Sequence, residues 1–267
     1  MSKRTTYTIV FIVVIAILYF AEKLVTRFQQ NTENQAPWEL EFGTEFLPTS
    51  TTGAIIYHDF YTLSYSESHE QAEWVAYELQ KKHLSGRDYD RPYFERDPKI
   101  TTKSAHRRNY KNSGYDRGHL CPAGDRSFSY EAFSETFLTS NISPQNHEFN
   151  TRIWNYLEQK VRFWAEKYNG LYVITGGVLE PGLKTIGDEE VSVPKAFYKI
   201  VIDKEKDSYK VLAFLIPNVP TQDSFYEYVV TIDEVERVTG IDFLQHLPDE
   251  LEEALESEIR LQDWAKH

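Results

Sequence analysis

Cysteine is almost missing from this chain. Cys121 stands alone among 267 residues, so no intrachain disulfide can form and a stapled scaffold is excluded. No internal repeat and no second linker break the chain after about residue 38. No uncharged run reaches the roughly 20 residues a helix needs to span hydrocarbon. The longest near an end, Tyr7 to Ala21, has 15 residues and follows Lys3 and Arg4. It closes on Tyr19-Phe20-Ala21-Glu22 without a small-x-small cleavage pattern, and Leu24 and Val25 extend it past a snorkelling Lys23. Residues 1–27 therefore read first as a signal-anchor. A cleaved signal peptide and a buried N-terminal helix are the other readings. In the first two cases the rest of the chain is expected outside the cytoplasm, because the basic end tends to stay inside. It would be membrane-anchored through this segment, or secreted or periplasmic after cleavage.

What is present after that segment is a polar, Gln/Asn-rich linker over 28–37 and then one domain over 38–267. Trp, Tyr and Phe run through the whole of this domain, enough for one substantial core. Net charge is -12, which taken whole would repel a polyanion. Its distribution softens that objection. Lys81 to Arg117 holds eleven Lys/Arg against five Asp/Glu, whereas Asp249 to Glu258 holds six acidic residues and no basic one. The basic stretch reads as a solvated loop face or as a polyanion surface. The acidic one reads as a solvated helix face.

Pattern and turn residues predict a mixed α+β fold with an antiparallel sheet. Residues 53–65 look like a strand pair or one long strand. Glu70 to Lys82 has helical composition, with Ala72, Val75, Ala76 and Leu79 on one side. Leu84 to Gly114 reads as loops, Gly118 to Cys121 as strand, and 122–125 as a turn. A helix is expected from about Phe149 to Lys167, followed by strands at 171–179, 195–202 and 209–217. Thr231 with Glu234 forms a capping box for a short helix ending near Gly240.

The chemistry concentrates in Tyr115-Asp116-Arg117-Gly118-His119. An imidazole near neutral pH accepts a proton from water, and a guanidinium binds phosphate as a fork. Downstream, Asn150, Trp154, Glu158 and Arg162 recur every four residues on one helix stripe beside the apolar Ile153, Leu157, Val161 and Trp164. Taken singly, these are a cap, a core residue and an ordinary ion pair. Placed near a helix start, however, the amide oxygen of Asn150 is a hard ligand suited to Mg²⁺.

The set resembles the DNA/RNA non-specific endonucleases of the ββα-metal (His-Me finger) superfamily, endonuclease G among them. The resemblance rests on Ser113 to Leu120, Asp125, Thr139-Ser140-Asn141-Ile142-Ser143-Pro144-Gln145, and then Asn150, Trp154 and Glu158. The segment Arg91 to Pro98 is similar to the family's upstream arginine region. The resemblance implies an α+β, ββα-metal nuclease fold with a central antiparallel sheet flanked by helices. It implies metal-dependent hydrolysis of DNA and RNA through their phosphate backbone, leaving 5′-phosphates. His119 would be the base and Asn150 the metal ligand, with Mg²⁺ expected and Mn²⁺ or another divalent ion possible. Glu158 would be an outer-sphere group, Asn141 would position the site, and Arg117 with Arg91 would hold phosphate. Arg96, Arg107 and Arg108 stay open as alternatives to Arg91. Asp116 and Trp154 would support the site, and His106 and His147 are left as loop or surface histidines. The alternatives are a hydrolase of smaller phosphate esters and a catalytically silent nucleic-acid-binding or envelope-interaction domain. Nothing in the sequence names an inhibitor protein or an oligomeric state.

Overall fold

The computed structural model describes residues 44–84, 86–206 and 208–265, all within one compact unit, Gly43–His267. The expected signal-anchor over 1–27 and linker over 28–37 lie outside the described residues. Among the described residues no helix is long and apolar enough to cross a membrane. The longest has 14 residues, about 21 Å at 1.5 Å per residue, short of a hydrocarbon core of roughly 30 Å. The described residues thus give no support to the transmembrane helix, the membrane as a partner or the membrane-anchored localisation read from the sequence, and those readings are not carried further.

Strands Ile55–Tyr57 (β1) and Thr62–Ser66 (β2) form the antiparallel pair expected over 53–65, with Ile56 opposite Leu63. Gln71–Gln80 (β3) is a strand where the composition predicts a helix. The reason is burial on both faces: residues 71–77 are all buried, so neither a period of 2 nor one of 3.6 marks the segment. Trp74, Val75 and Tyr77 then prefer the pleated surface.

Asp116–His119 (β4) pairs antiparallel with Ile142–Gln145 (β5), His119 opposite Ile142. Between them lies the short helix Tyr130–Glu135 (α1), capped by Ser129, whose hydroxyl accepts from Ala132 N. After β5 the chain enters a helical turn at His147–Phe149 and a π-helical turn at Asn150–Trp154. It continues as Asn155–Tyr168 (α2). Strands Gly170–Gly177 (β6), Thr185–Ile186 (β7), Val191–Ser192 (β8), Ala196–Glu205 (β9), Ser208–Pro217 (β10) and Val229–Val230 (β11) follow. Ile232–Thr239 (α3) has Thr231 as N-cap and Gly240 at φ 71° as C-cap, as the capping box predicts. Asp249–Glu256 (α4) carries the acidic run.

Seven strands make one antiparallel sheet in the order β1-β2-β3-β6-β9-β10-β11, and β4-β5 and β7-β8 are separate two-stranded pairs. Alternation along β9 sends successive side chains to opposite faces. Phe197 and Lys199 meet Trp154, while Tyr198 meets Phe243 on the C-terminal side. The sheet is thus flanked by helical structure on both faces. The expected loops over 84–114 are stitched to the site region, Glu95 N donating to Phe137 O and Thr139 N to Glu95 O. A small core of Ala105, Tyr110, Ile142, Ile186, Val191 and Val193 lies beneath them.

Candidate active site

β4 carries Asp116, Arg117, Gly118 and His119 in succession and pairs with β5 alone. Gly118 is required there by close approach. A Cβ on it would lie 2.1 Å from the Gln145 side chain on the paired strand, inside any allowed contact. The glycine therefore lets the Gln145 amide pack flat against β4. Gln145 is fully buried, and neither its Nε2 nor its Oε1 has a hydrogen-bond partner. The sequence offers Gln145 only as the end of the Thr139–Gln145 motif, with no role of its own; the signal for its packing is Gly118, two positions along β4 from Asp116, the residue paired with it.

His119 lies between two aromatic rings, Phe137 edge-on at 5.0 Å and Phe94 at 5.5 Å. Its Nε2 is buried without a hydrogen-bond partner. Burial, with Arg91 adding positive charge, pushes its pKa down to about 3. The imidazole is therefore neutral across the physiological range and has a free nitrogen lone pair to offer.

Asn141 is buried and acts on the backbone beyond His119. Its Oδ1 accepts from Cys121 N at 2.8 Å, and its Nδ2 donates to Cys121 O and Thr136 O. Leu120 N donates to Asn141 O in turn. The main chain on the C-terminal side of His119 is thereby held from several points.

Asn146 caps the incoming helix, its Oδ1 accepting from Glu148 N and Phe149 N, so Asn150 sits in the first turns. Its Nδ2 donates to Asp116 Oδ2 at 3.0 Å. The same oxygen faces His147 Nδ1 at 2.9 Å, so His147, passed over in the sequence, belongs to this cluster. The π turn has a consequence for spacing. Two α turns take about 7.2 residues, and one π turn adds close to one more. Asn150 and Glu158, eight apart, therefore come onto one face rather than about 80° out of line.

Glu158 does not make the helical ion pair with Arg162. That guanidinium turns instead to buried Asp125, at 2.7 Å, which also accepts from Tyr77 OH. Burial pushes the Glu158 carboxyl up to about 7, Lys199 opposing the rise and Asp125 adding to it. Lys199 is itself fully buried, with Nζ 3.1 Å from Thr175 Oγ1 and 4.8 Å from the centre of the Trp154 ring. Trp154 is core, 1% exposed, and links this cation to the helix.

The arginines separate by partner. Arg117 donates to Arg107 O and stacks over Phe94 and Tyr110; its Nε is buried and unpartnered. Arg91 lies over the Phe137 ring at 5.4 Å, near enough to act on His119. Arg96 is engaged by Glu189, and Arg107 by Phe94 O and the Tyr93 ring. His106 caps the turn Arg107–Tyr110 by accepting from Arg108 N. An open cleft of about 530 Å³ lined by Arg87, Tyr89, Arg91, Gly124, Ser127 and Phe133, among others, runs beside these groups.

The donor set fits a hard divalent ion. With its Nδ2 held by Asp116, the amide of Asn150 presents an Oδ1 that makes no hydrogen bond among the described residues, beside a carboxylate of the same cluster. One neutral oxygen with room for water is what an ion of the Mg²⁺ type accepts. Groups of three carboxylates able to hold a cation occur elsewhere, on the C-terminal helices and the loop between them.

A family model described as DNA/RNA non-specific endonuclease matches residues 41–250. The chain is 35% identical to the mitochondrial nuclease EXOG of Danio rerio, over 85% of this chain and 71% of that protein. It is 32% identical to the mitochondrial nuclease EXOG of Homo sapiens, over 75% of this chain and 59% of that protein, and so spans under two thirds of the human relative. It is 33% identical to a nuclease of Nostoc sp., over 74% and 76%. The solved structure of EndoG in complex with EndoGI aligns with a TM-score of 0.67 at 30% identity, covering 73% of this chain and 86% of that one. The chain belongs to the DNA/RNA non-specific endonuclease family, in the endonuclease G-like branch of the His-Me finger superfamily, and is a divalent-metal-dependent endonuclease of DNA and RNA phosphodiester bonds.

Proposed function

We propose that this nuclease works with His119 as general base and Asn150 as its single direct metal ligand, that the ion is Mg²⁺ or, failing it, Mn²⁺, and that products carry 5′-phosphates. Asn150 Oδ1 would hold the ion, which when bound supplies Lewis-acid stabilisation of charge developing on the scissile phosphate. Asp116 sets the rotation of that amide, and Glu158, on the same helix face, orders water near it. Neutral His119 takes a proton from the attacking water as the new P–O bond forms. The bond from phosphorus to the 3′ oxygen breaks, and the leaving oxygen collects a proton from solvent. Arg117 and Arg91 stabilise the equatorial oxygens electrostatically. Water rather than a ribose hydroxyl attacks, so both sugars serve. Contacts to phosphate alone carry no sequence information.

The observation that supports this reading most is the hydrogen bond from Asn150 to Asp116, which joins the strand bearing the base to the helix bearing the metal ligand. The test is digestion of plasmid DNA and of RNA with Mg²⁺, with and without EDTA, by the parent protein and by His119→Ala and Asn150→Ala. Both variants are expected to bind substrate and fail to cut. A His119→Ala protein as active as the parent removes the base from this scheme.

A further inference from the structure

We propose that the C-terminal helix pair holds a second cation site, separate from Asn150, that takes a Ca²⁺-sized ion between Asp233, Glu236, Asp242, Glu252 and Glu256. Asp233 and Glu236 come from α3, Asp242 from the loop after it, and Glu252 and Glu256 from α4. They form two overlapping triads that share Glu256, and within each triad one oxygen from every residue lies within 4.8 Å of the others. Three oxygens at that limit lie about 2.8 Å from a common centre, so a small inward shift of the side chains brings one ion to the roughly 2.3–2.6 Å of a Ca–O contact with all three.

An acidic cluster on a surface needs no ion, since water screens it. Glu256 is what sets this one apart. It is only 7% exposed, its Oε1 is buried with no hydrogen-bond partner, and its carboxylate points into both triads. Among the described residues no lysine or arginine forms an ion pair with any of the five. The nearby arginines Arg237 and Arg260 pair with Glu234 and Glu258 instead. Burial, reinforced by Glu236, Glu252, Asp242 and Asp233, pushes the Glu256 carboxyl up to about 8. Glu236 uses Oε1 to accept from Phe243 N at 2.9 Å, leaving its other oxygen to the cluster. A set made of carboxylates on two helices and a loop is adjustable and rich in protein oxygens, which suits calcium better than the water-retaining magnesium. Because α3 and α4 pack on each other and both on β10, an ion here pins the C-terminal helices to the sheet.

The test uses the full chain carrying Asn150→Ala, so that the catalytic ligand is gone and the result does not depend on it. Calcium chloride alone is titrated by calorimetry, and Tm is followed with and without it. One calcium site and a calcium-dependent rise in Tm are expected. Glu256→Gln and Asp242→Asn in this background should each weaken binding at least 10-fold and flatten the Tm response. Glu253→Gln, exposed on the same helix, should leave both unchanged. Without calcium, Glu256→Gln should be about as stable as its parent, because the Glu256 carboxyl, pushed up to about 8, is already largely neutral at pH 7 and glutamine keeps its shape; a lost response then reflects lost binding, not unfolding. Absence of calcium binding in the Asn150→Ala protein, binding unaltered by both substitutions, or an equal response to Mg²⁺ overturns the proposal.

Discussion

Asn150 and Asp116, 34 positions apart, are joined by a hydrogen bond of 3.0 Å from Nδ2 to Oδ2. The bond uses the donor end of the amide and thereby decides which way the acceptor end faces. Asp116→Ala removes that constraint. The Mg²⁺ concentration for half-maximal plasmid cleavage is expected to rise on the order of 10–100-fold, with Tm little changed. An unshifted midpoint means that Asp116 does not orient the ligand.

The acid side of the activity profile should belong to Glu158 and not to His119. His119, with a pKa near 3, stays neutral down to strongly acidic pH. Glu158, near 7, loses its carboxylate as pH falls through neutrality. A plot of kcat/KM against pH is expected to fall on the acid side with an apparent pKa closer to 7 than to 3. Glu158→Gln should lower the plateau and abolish that limb; a limb retained in this variant assigns it to another group.

Stability should carry the mark of His119. Its pKa is lowered on folding, so the unfolded chain takes up this proton first once pH falls below the ordinary histidine value of about 6.5. Stability is then lost progressively as pH falls toward 3. The urea midpoint of His119→Leu, measured from pH 7 to pH 4, should decline less steeply than that of the parent. Parallel slopes would refute the burial of a neutral imidazole.

Gly118→Ala tests the contact between the two site strands. The added methyl would lie 2.1 Å from the buried Gln145 side chain, so a loss of about 1–3 kcal/mol by overpacking is expected. The double variant Gly118→Ala/Gln145→Ala should recover part of the lost Tm. No recovery would locate the strain elsewhere.

Arg91 and Arg96 should separate in salt dependence. Arg91→Ala is expected to weaken nucleic-acid binding and reduce the slope of log K against log salt by about one. Arg96 is already paired with Glu189, so Arg96→Ala should leave that slope unchanged. Fluorescence anisotropy with a labelled duplex across a salt series distinguishes them.

Much of the fold was legible where one periodic signal dominated. The capping box at Thr231, the strands near 171, 195 and 209, and the strand pair before 65 follow from local pattern and turn chemistry. β3 was misread because a strand covered on both faces has no polar side to set its period. The N-terminal apolar run invited a membrane reading that the described fold does not carry.

By itself the sequence determined the chemistry available: a base, a phosphate-binding cation, a hard amide ligand and a carboxylate, in an order that marks the family. It did so because those residue types are local and their spacing survives in one dimension. Only the tertiary structure decided how they are used. A glycine let Gln145 lie against β4, a π turn aligned Asn150 with Glu158, and Arg162 turned to Asp125 and left Glu158 unpaired. Each of these depends on groups far apart in the chain competing for one buried space, and that competition is settled by packing, not by spacing.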